Sequence, residues 1–176
     1  MSTEKKIGNG TLKVVEDDIT LLEVEAFVFY AQADLKLGTG YGNAIAMRGG
    51  PKIQEELNEI GKADVTEVVV TTGGKLKAKN ILHAVGPAFQ EEDMQAKLIK
   101  TTENILKTAE EHNFEQVAIG ALGAGFYGIP LADSARIVLE TVSQHLKNDS
   151  KLKEIVVCLN DGREYRAFES TFNALN

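Results

Sequence analysis

The sequence predicts an α/β fold, a three-layer α/β/α sandwich with a central mixed sheet of six or seven strands. The first observation behind this prediction is that short apolar, β-branched runs alternate along the chain with segments whose apolar residues recur at helical spacing. The second is that two of these runs flank Gly73 and Gly74, which are typical turn residues. Such a hairpin is antiparallel, so the sheet is expected to be mixed and not wholly parallel.

Six runs are predicted to be strands because they are short, apolar and rich in β-branched residues. The last two are apolar throughout, which is typical of strands that helices cover on both faces. In chain order, the six runs span residues 11–15, 26–29, 68–72, 81–85, 117–121 and 155–159.

Four longer segments are predicted to be helices because their apolar residues recur every three or four positions. Pro51 precedes the first and Gly61 follows it, and Pro130 precedes the third; these are typical helix start and stop residues. The four apolar stripes are Ile53, Leu57 and Ile60; Leu98, Thr102, Ile105 and Ala109; Leu131, Ala135, Val138, Val142 and Leu146; and Tyr165, Phe168 and Phe172.

The composition of the 176-residue chain predicts one domain over residues 1–176, with residues 1–6 flexible. The net charge of -7 argues against a nucleic-acid partner, since such proteins usually present a positive field. No run approaches the roughly 18 apolar residues of a membrane span, and no apolar targeting segment follows the polar start, so we expect a cytoplasmic location and no membrane partner. The single Cys158 excludes an internal disulfide and a zinc cluster, and the sequence predicts no metal site and no cofactor. It leaves the oligomeric state open.

Two glycine-rich loops carry the functional prediction. The first spans residues 37–45 and places glycines at alternating positions after a predicted strand. The second spans residues 120–130 and leads from a strand into the helix that follows Pro130. Glycines let the backbone approach a ligand closely, and N–H groups at a helix N-terminus attract anions, so the pair predicts a diphosphate ligand. For either loop taken alone, a plain connecting loop is the alternative.

Five segments, in the same order along the chain, resemble the macrodomain family and together extend over most of the chain. Residues 16–20 resemble the family's Gly-Asp-Ile-Thr, residues 24–28 its Val-Asp-Ala-Ile-Val strand, and residues 37–45 its first glycine loop. Residues 81–87 resemble its Val-Ile-His-Thr-Val-Gly-Pro strand and residues 123–130 its Ser-Thr-Gly-Ile-Tyr-Gly-Tyr-Pro loop. The resemblance, strongest to small stand-alone prokaryotic members, implies a macrodomain-like sandwich that binds ADP-ribose or ADP-ribosylated protein.

The resemblance also implies a role for each matching residue. Asp18 would accept a hydrogen bond from the adenine amino group, with the Ile19 amide nearby, whereas the alternative for Asp18 is a turn cap. The first loop would line the distal ribose and the diphosphate, and the second would hold the diphosphate from the other side. Phe126 and Tyr127 are core aromatics in the alternative view of the second loop. The loop candidates for ligand binding are Gly38, Thr39, Gly40, Tyr41 and Gly42 in the first loop and Gly123, Ala124, Gly125, Phe126 and Tyr127 in the second.

The chain departs from the family pattern at three places. Residues 29–32, Phe-Tyr-Ala-Gln, replace the family's Asn-Ala-Ala-Asn, so Gln32 keeps an amide for the distal ribose but with a longer reach. Gly42 and Asn43 stand where active hydrolytic members carry an Asp, and an Asn side chain is not a general base near neutral pH. Asn160 stands where many members stack an aromatic ring on adenine. Gln32 and Asn43 are therefore the remaining catalytic candidates, and Gln32 and Asn160 join the ligand-binding ones.

These observations leave three functions open, in this order. The first is a module that binds ADP-ribose, because backbone N–H groups hold the phosphates and the side-chain departures do not affect them. The second is a hydrolase of O-acetyl-ADP-ribose, ADP-ribose-1″-phosphate or protein-linked ADP-ribose, since members without the Asp can use a substrate phosphate and an ordered water. The third is a degenerate macrodomain that serves as an interaction or other nucleotide-binding module. His83 lies in an apolar run and is predicted to be a core residue without a catalytic role.

Overall fold

A seven-stranded mixed sheet forms the centre of the structure, a computed structural model that describes residues 1–38 and 40–175. The number of strands and their mixed directions confirm the predicted fold class. The strands are β1 (Ser2–Ile7), β2 (Gly10–Glu16), β3 (Ala26–Ala31), β4 (Val68–Thr72), β5 (Asn80–Val85), β6 (Gln116–Ile119) and β7 (Glu154–Leu159).

The strands lie side by side in the order β1-β2-β7-β6-β3-β5-β4. The five inner strands are parallel, and each edge strand, β1 or β4, is antiparallel to its neighbour. The β4–β5 pair is the predicted hairpin, with Thr72 in register with Asn80. In its turn, a Cβ at Gly73 would lie 1.9 Å from the carbonyl oxygen of Ala78, so the turn requires glycine at this position.

Within the described residues, five α-helices cover the two faces of the sheet. Side chains alternate along each strand, so Phe27 packs in the cluster with α1 and α2, whereas Val28 packs in the cluster with α3, α4 and α5. Four of the helices carry the predicted apolar stripes, and α1 is additional. No helix within residues 1–38 and 40–175 is both long and apolar enough to span a membrane. The helices are α1 (Tyr41–Gly49), α2 (Lys52–Ile60), α3 (Met94–Glu111), α4 (Leu131–Lys147) and α5 (Gly162–Asn173).

The N-terminal residues differ from the prediction. The sequence predicts that residues 1–6 are flexible, but Ser2–Ile7 forms β1 and pairs with β2 along its whole length. Lys5 also donates hydrogen bonds from Nζ to the carbonyl oxygens of Phe172 (2.7 Å) and Leu175 (3.1 Å) at the end of α5. The prediction is wrong here because an exposed edge strand is kept polar and short, so its sequence contains no apolar run.

The carboxyl ends of the five parallel strands meet at one edge of the sheet. The turn after β2, the β3–α1 loop, the β6–α4 loop and the β7–α5 turn all leave the sheet at this edge. Ligands of open α/β sheets bind outside the carboxyl ends of the strands. The fold therefore brings both predicted glycine loops to the edge where a ligand is expected.

Candidate functional site

A cleft of about 340 Å³ opens at the carboxyl ends of β3, β6 and β7, and both glycine loops reach it. Its size suits a small molecule, since ligand pockets commonly measure roughly 300–1,000 Å³. The structure thus brings the two loops together, as the sequence predicts. Nine of the predicted ligand-binding residues line the cleft: Ile19, Gln32, Gly40, Tyr41, Gly123, Ala124, Phe126, Tyr127 and Asn160.

The first glycine loop ends at the N-terminus of α1. Gly40 precedes α1 with a φ of 61°, and among residues 1–38 and 40–175 no side chain caps the helix. A Cβ at Gly42 would lie 1.6 Å from the carbonyl oxygen of Leu37, so glycine is required for the first turn of α1 to pack against the loop. The N–H groups of a first helical turn have no partner within the helix, so a helix that begins at a cleft can attract an anion.

The second glycine loop connects β6 to α4 through a 3₁₀ helix, Gly125–Tyr127. Among the residues that the structure describes, the amides of Gly123 and Gly125 form no hydrogen bond. Both glycines have positive φ angles, 77° and 72°, which glycine adopts without strain. The buried Ser134 ties α4 to this loop, because its Oγ donates to the carbonyl oxygen of Leu122 at 2.7 Å. The unpaired amide of Gly123 therefore lies at the same cleft, and Gly125 lies between two residues that line it, Ala124 and Phe126.

The end of the cleft near β2 and β7, here called the polar end, carries hydrogen-bonded polar side chains: Asp18, Tyr41, Arg48, Asn160 and Glu164. Asp18 Oδ1 accepts hydrogen bonds from the backbone amide (2.9 Å) and the hydroxyl (2.7 Å) of Thr20, and Oδ2 pairs with Arg48 Nη1 at 2.9 Å. Partial burial acts to raise the pKa of Asp18, but the hydrogen bonds from Thr20 and Arg48 together outweigh it. The pKa is therefore lowered, and Asp18 is ionised at neutral pH. Asp18 thus caps the turn, the alternative that the sequence left open, and its adenine contact stays a prediction.

A hydrogen bond crosses the polar end between the first loop and the end of β7. The hydroxyl of Tyr41, the first residue of α1, donates to Asn160 Oδ1 at 2.9 Å. The backbone amide of Asn160 in turn donates to Glu164 Oε1 at 2.9 Å. Burial raises the pKa of Tyr41 to about 12, so the hydroxyl stays a donor at neutral pH. Tyr41 thereby places an aromatic ring beside Asn160, whose own side chain offers no ring for a base.

The opposite end of the cleft, towards β3 and β5, is here called the aromatic end and is lined by Tyr30, Phe126 and Tyr127. The ring centroids of Tyr30 and Tyr127 are 4.2 Å apart, and the rings of Phe126 and Tyr127 meet edge to face at 5.2 Å. Tyr30 is fixed in place, because its hydroxyl donates to the carbonyl oxygen of Pro87 and its ring fills the space beside Gly86. Phe126, in contrast, is 78% exposed.

Thr39 lies outside the described residues, and five other predicted residues do not line the cleft. Asn43 donates from Nδ2 to Met47 Sδ at 3.6 Å, so its side chain lies along the exposed surface of α1. Gly42 is buried against Leu37. Gly38, Gly42 and Gly125 shape the backbone of the loops. Asp18 lies beside the cleft, with both carboxylate oxygens hydrogen-bonded. The five are Asp18, Gly38, Gly42, Asn43 and Gly125.

The cleft also contains residues that sequence reasoning did not assign to it. Lys36 lines the wall next to the first loop, and Glu164 extends from α5 at the polar end. Cys158 forms part of the floor, where Sγ donates to the carbonyl oxygen of Asp17 at 3.3 Å. Burial raises the pKa of the Cys158 thiol to about 12, so it is not a thiolate nucleophile at neutral pH. The signal that could have identified Cys158 is its place at the carboxyl end of a parallel strand.

His83 lies on β5, which is flanked by β3 and β4 in the sheet; its side chain is in the core and does not line the cleft. Its Nε2 is 2.8 Å from the hydroxyl of Thr71. Burial lowers the pKa of His83 to about 4, so the ring is neutral at physiological pH, and the prediction of a core histidine is confirmed. Throughout residues 1–38 and 40–175, no three His, Cys, Asp or Glu side chains are grouped so that they could hold a metal ion.

The chain is similar in sequence to proteins that carry a macro domain. Residues 30–138 match the family described as Macro domain. A macro domain-containing protein of Caldanaerobacter subterraneus subsp. tengcongensis is 34% identical over 171 residues, which cover 94% of this chain and 97% of that protein. The O-acetyl-ADP-ribose deacetylase of Salmonella newport is 36% identical over 141 residues, which cover 77% of this chain and 79% of that enzyme.

Solved structures share the same fold. A variant of the Oceanobacillus iheyensis macrodomain with ADPR superposes with a TM-score of 0.94 at 24% identity, over 99% of this chain and 98% of that one. The Trypanosoma brucei macrodomain in complex with ADP superposes with a TM-score of 0.86 at 24% identity, over 93% of this chain and 69% of that one. At these identities the likeness shows the fold, and it confirms the predicted sandwich.

Proposed function

Because this chain belongs to the macrodomain family, we propose that its cleft binds ADP-ribose or a close derivative. The observation that carries the proposal is that two glycine loops meet at one cleft. Within the described residues, the amides of Gly123 and Gly125 are unpaired and no side chain caps α1. A diphosphate is attracted by such N–H groups and by the positive end of a helix dipole. Main-chain capture also lets a chain of net charge -7 hold an anion without a basic surface.

The contacts of the cleft support one direction for the ligand. Adenine fits the polar end, where Asp18 Oδ2 accepts one hydrogen bond from a guanidinium and has room for a second donor such as the adenine amino group. Ile19 and the ring of Tyr41 provide apolar surface for the base. The diphosphate then lies between the loops. The distal ribose lies at the aromatic end near Gln32, whose amide faces the hydroxyl of Tyr127.

An ADP-ribosylated protein is the macromolecular partner that we propose for this cleft. The aromatic end opens to solvent, since Phe126 is 78% exposed, and a side chain attached to the distal ribose can leave the cleft there. At the polar end, the hydrogen bond from Tyr41 to Asn160 bridges the walls instead. The cytoplasmic location that the sequence predicts suits such a partner and stays a prediction.

Isothermal titration calorimetry with ADP-ribose tests the proposed function. We expect a Kd in the micromolar range, which corresponds to a binding free energy of roughly -8 kcal/mol. AMP should bind more weakly, because it carries the base and one phosphate and cannot engage both loops fully. A folded protein that gives no heat with millimolar ADP-ribose would contradict the proposal.

A second candidate function is hydrolysis of an ADP-ribose ester, which the 36% identity to an O-acetyl-ADP-ribose deacetylase favours. Among the described residues that line the cleft, the carboxylate is Glu164, which lies at the polar end and accepts a hydrogen bond from the Asn160 amide. Water activation at the distal ribose would therefore depend on a phosphate of the substrate. Release of acetate from O-acetyl-ADP-ribose above the buffer rate tests this function, and Gln32→Asn, which restores the family's shorter amide, should raise the rate. A protein that binds ADP-ribose and releases no acetate is a binding module.

A further inference from the structure

One ring at the aromatic end is available to a ligand in a way that the others are not. Phe126 lines the cleft, yet 78% of its surface is exposed. Tyr127 meets it edge to face at 5.2 Å, and Tyr30 lies 4.2 Å from Tyr127, so the three rings form a continuous wall. Tyr30 is held by its hydrogen bond to Pro87, which fixes the base of the wall. A contiguous wall of rings at the rim of a cleft, with one ring open to solvent, offers a contact surface to a bound group.

The electrostatics of this wall favour a positively charged group. The face of an aromatic ring is negative and attracts a cation within about 6 Å of its centroid. The pKa of Tyr30 is raised mainly by burial and further by the neighbouring Tyr127 and Glu91. The carboxylate of Glu91 therefore also contributes negative potential here. Lys97 pairs with Glu91 at 2.8 Å, and the ring faces are therefore the main attraction.

We propose that the aromatic end is a subsite for a planar cation attached to the distal ribose of the ligand. The inference rests on the proposed function, since the two loops must first hold the diphosphate for the substituent to reach Phe126. Two sources present this chemistry: the pyridinium ring of an oxidised nicotinamide dinucleotide, and the guanidinium of an ADP-ribosylated arginine. Each is flat and charged, and stacks on an aromatic face. A substituent joined through an ester is neutral and gains less from these rings.

Oxidised and reduced nicotinamide dinucleotide are matched probes, because they differ in the charge of the nicotinamide ring. We expect calorimetry to give a Kd roughly two- to fivefold lower for the oxidised form, the range expected for a cation over an exposed ring. Phe126→Leu keeps an apolar side chain but removes the ring, and it should bring the ratio of the two Kd values to about one. Ile60→Ala is the control: it removes an apolar side chain that is 43% exposed and lies outside the cleft lining, and the ratio should persist.

A pair of peptides distinguishes the two sources of the cation. One peptide carries ADP-ribose on arginine, and the other carries it on serine, which adds no planar charge. A preference for the arginine-linked peptide that Phe126→Leu removes assigns the subsite to modified protein. A preference found only with the dinucleotides assigns it to a free dinucleotide. Because Phe126 is largely exposed, its replacement should leave the fold intact, and circular dichroism checks this.

The subsite is overturned if neither pair of probes shows a preference that depends on Phe126. Failure of the proposed function gives a different result, because ADP-ribose itself then gives no heat with the wild-type chain. If ADP-ribose binds and the preferences are absent, the loops hold the diphosphate and only the cation subsite is wrong.

Discussion

The two ends of the cleft offer a ligand different kinds of contact. At the polar end, Tyr41 donates a hydrogen bond to Asn160 and Arg48 pairs with Asp18, both at 2.9 Å, so these side chains hold one another in position. At the aromatic end, Phe126 is 78% exposed, against 39% for Tyr41. Fixed hydrogen-bonding groups reject a wrong partner because it leaves them unpaired, whereas an open ring surface accepts a range of groups. We therefore expect strict recognition of the base and a broader selection, by shape and charge, at the distal side.

A ligand reaches both ends of the cleft only if the glycine loops hold its diphosphate. The largest expected effect is therefore a change in a loop, which weakens binding at both ends. In Gly42→Ala, the new Cβ would lie 1.6 Å from the carbonyl oxygen of Leu37, and the first loop has to move. We expect the affinity for ADP-ribose to fall by at least about 100-fold in calorimetry, which equals about 2.7 kcal/mol. Gly61→Ala is the control: its φ of 90° is unfavourable for alanine, but its Cβ meets open space and the residue lies outside the cleft, so binding of ADP-ribose should persist. Normal binding by a folded Gly42→Ala chain would contradict the assigned loop.

Asp18→Ala tests the polar end alone. A hydrogen bond to a charged group contributes roughly 1.5–3 kcal/mol, so we expect a loss of about 10- to 100-fold in affinity. The loss should be similar for AMP and ADP-ribose, since both carry the base. Asp64→Ala, which removes an exposed carboxylate outside the cleft, should bind as the wild type does. A loss seen with ADP-ribose but not with AMP would place Asp18 at the wrong end of the ligand.

Gln32→Ala tests the aromatic end in the same way. Gln32 lines the cleft and faces the hydroxyl of Tyr127, where the distal ribose is proposed to lie. A neutral hydrogen bond contributes roughly 0.5–1.5 kcal/mol, so the affinity for ADP-ribose should fall by about 2- to 10-fold. AMP lacks the distal ribose and should lose much less in the same titration. Equal losses for the two ligands would reverse the proposed direction of binding.

The smallest expected effect is a loss of stability at alkaline pH, caused by ionisation of Tyr41 at the polar end. Burial raises the pKa of Tyr41 from 10.0 to about 12. An unfolded tyrosine gives up its proton first, so the contribution of Tyr41 to stability is complete below pH 10 and is lost as the pH rises towards 12. The unfolding free energy, measured with urea at several pH values, should fall more steeply for the wild type than for Tyr41→Phe. The difference is small because the side chain is partly solvated. Parallel curves would mean that the fold does not raise the pKa of Tyr41.

Local features of this molecule could be predicted from the sequence because they depend on neighbours along the chain. The Gly73-Gly74 turn, the apolar stripe that begins at Leu131 and the glycines of both loops are of this kind. The edge strand Ser2–Ile7 was missed, since its pairing with β2 leaves no apolar pattern in its own sequence.

Contacts between distant residues could not be predicted in the same way. Arg48 lies 30 positions from Asp18, and Asn160 lies 119 positions from Tyr41, so these pairs depend on how α1 packs at the edge of the sheet. Gly42 shows a different limit. The sequence predicts that it touches a ligand, whereas in the structure it packs against the backbone of the loop; both roles require glycine, and the residue type does not distinguish them.

Capture of the diphosphate by main-chain N–H groups is the central claim, and the amide resonances of the loops test it most directly. In a ¹H–¹⁵N correlation titration with ADP-ribose, we predict large shifts for Gly40, Gly123 and Gly125, with both loops responding over the same range of ligand concentration. Gly61 and Gly74, which lie outside the cleft, should not shift. Saturating ADP-ribose that moves the resonances of one loop only, or of neither, would contradict the claim.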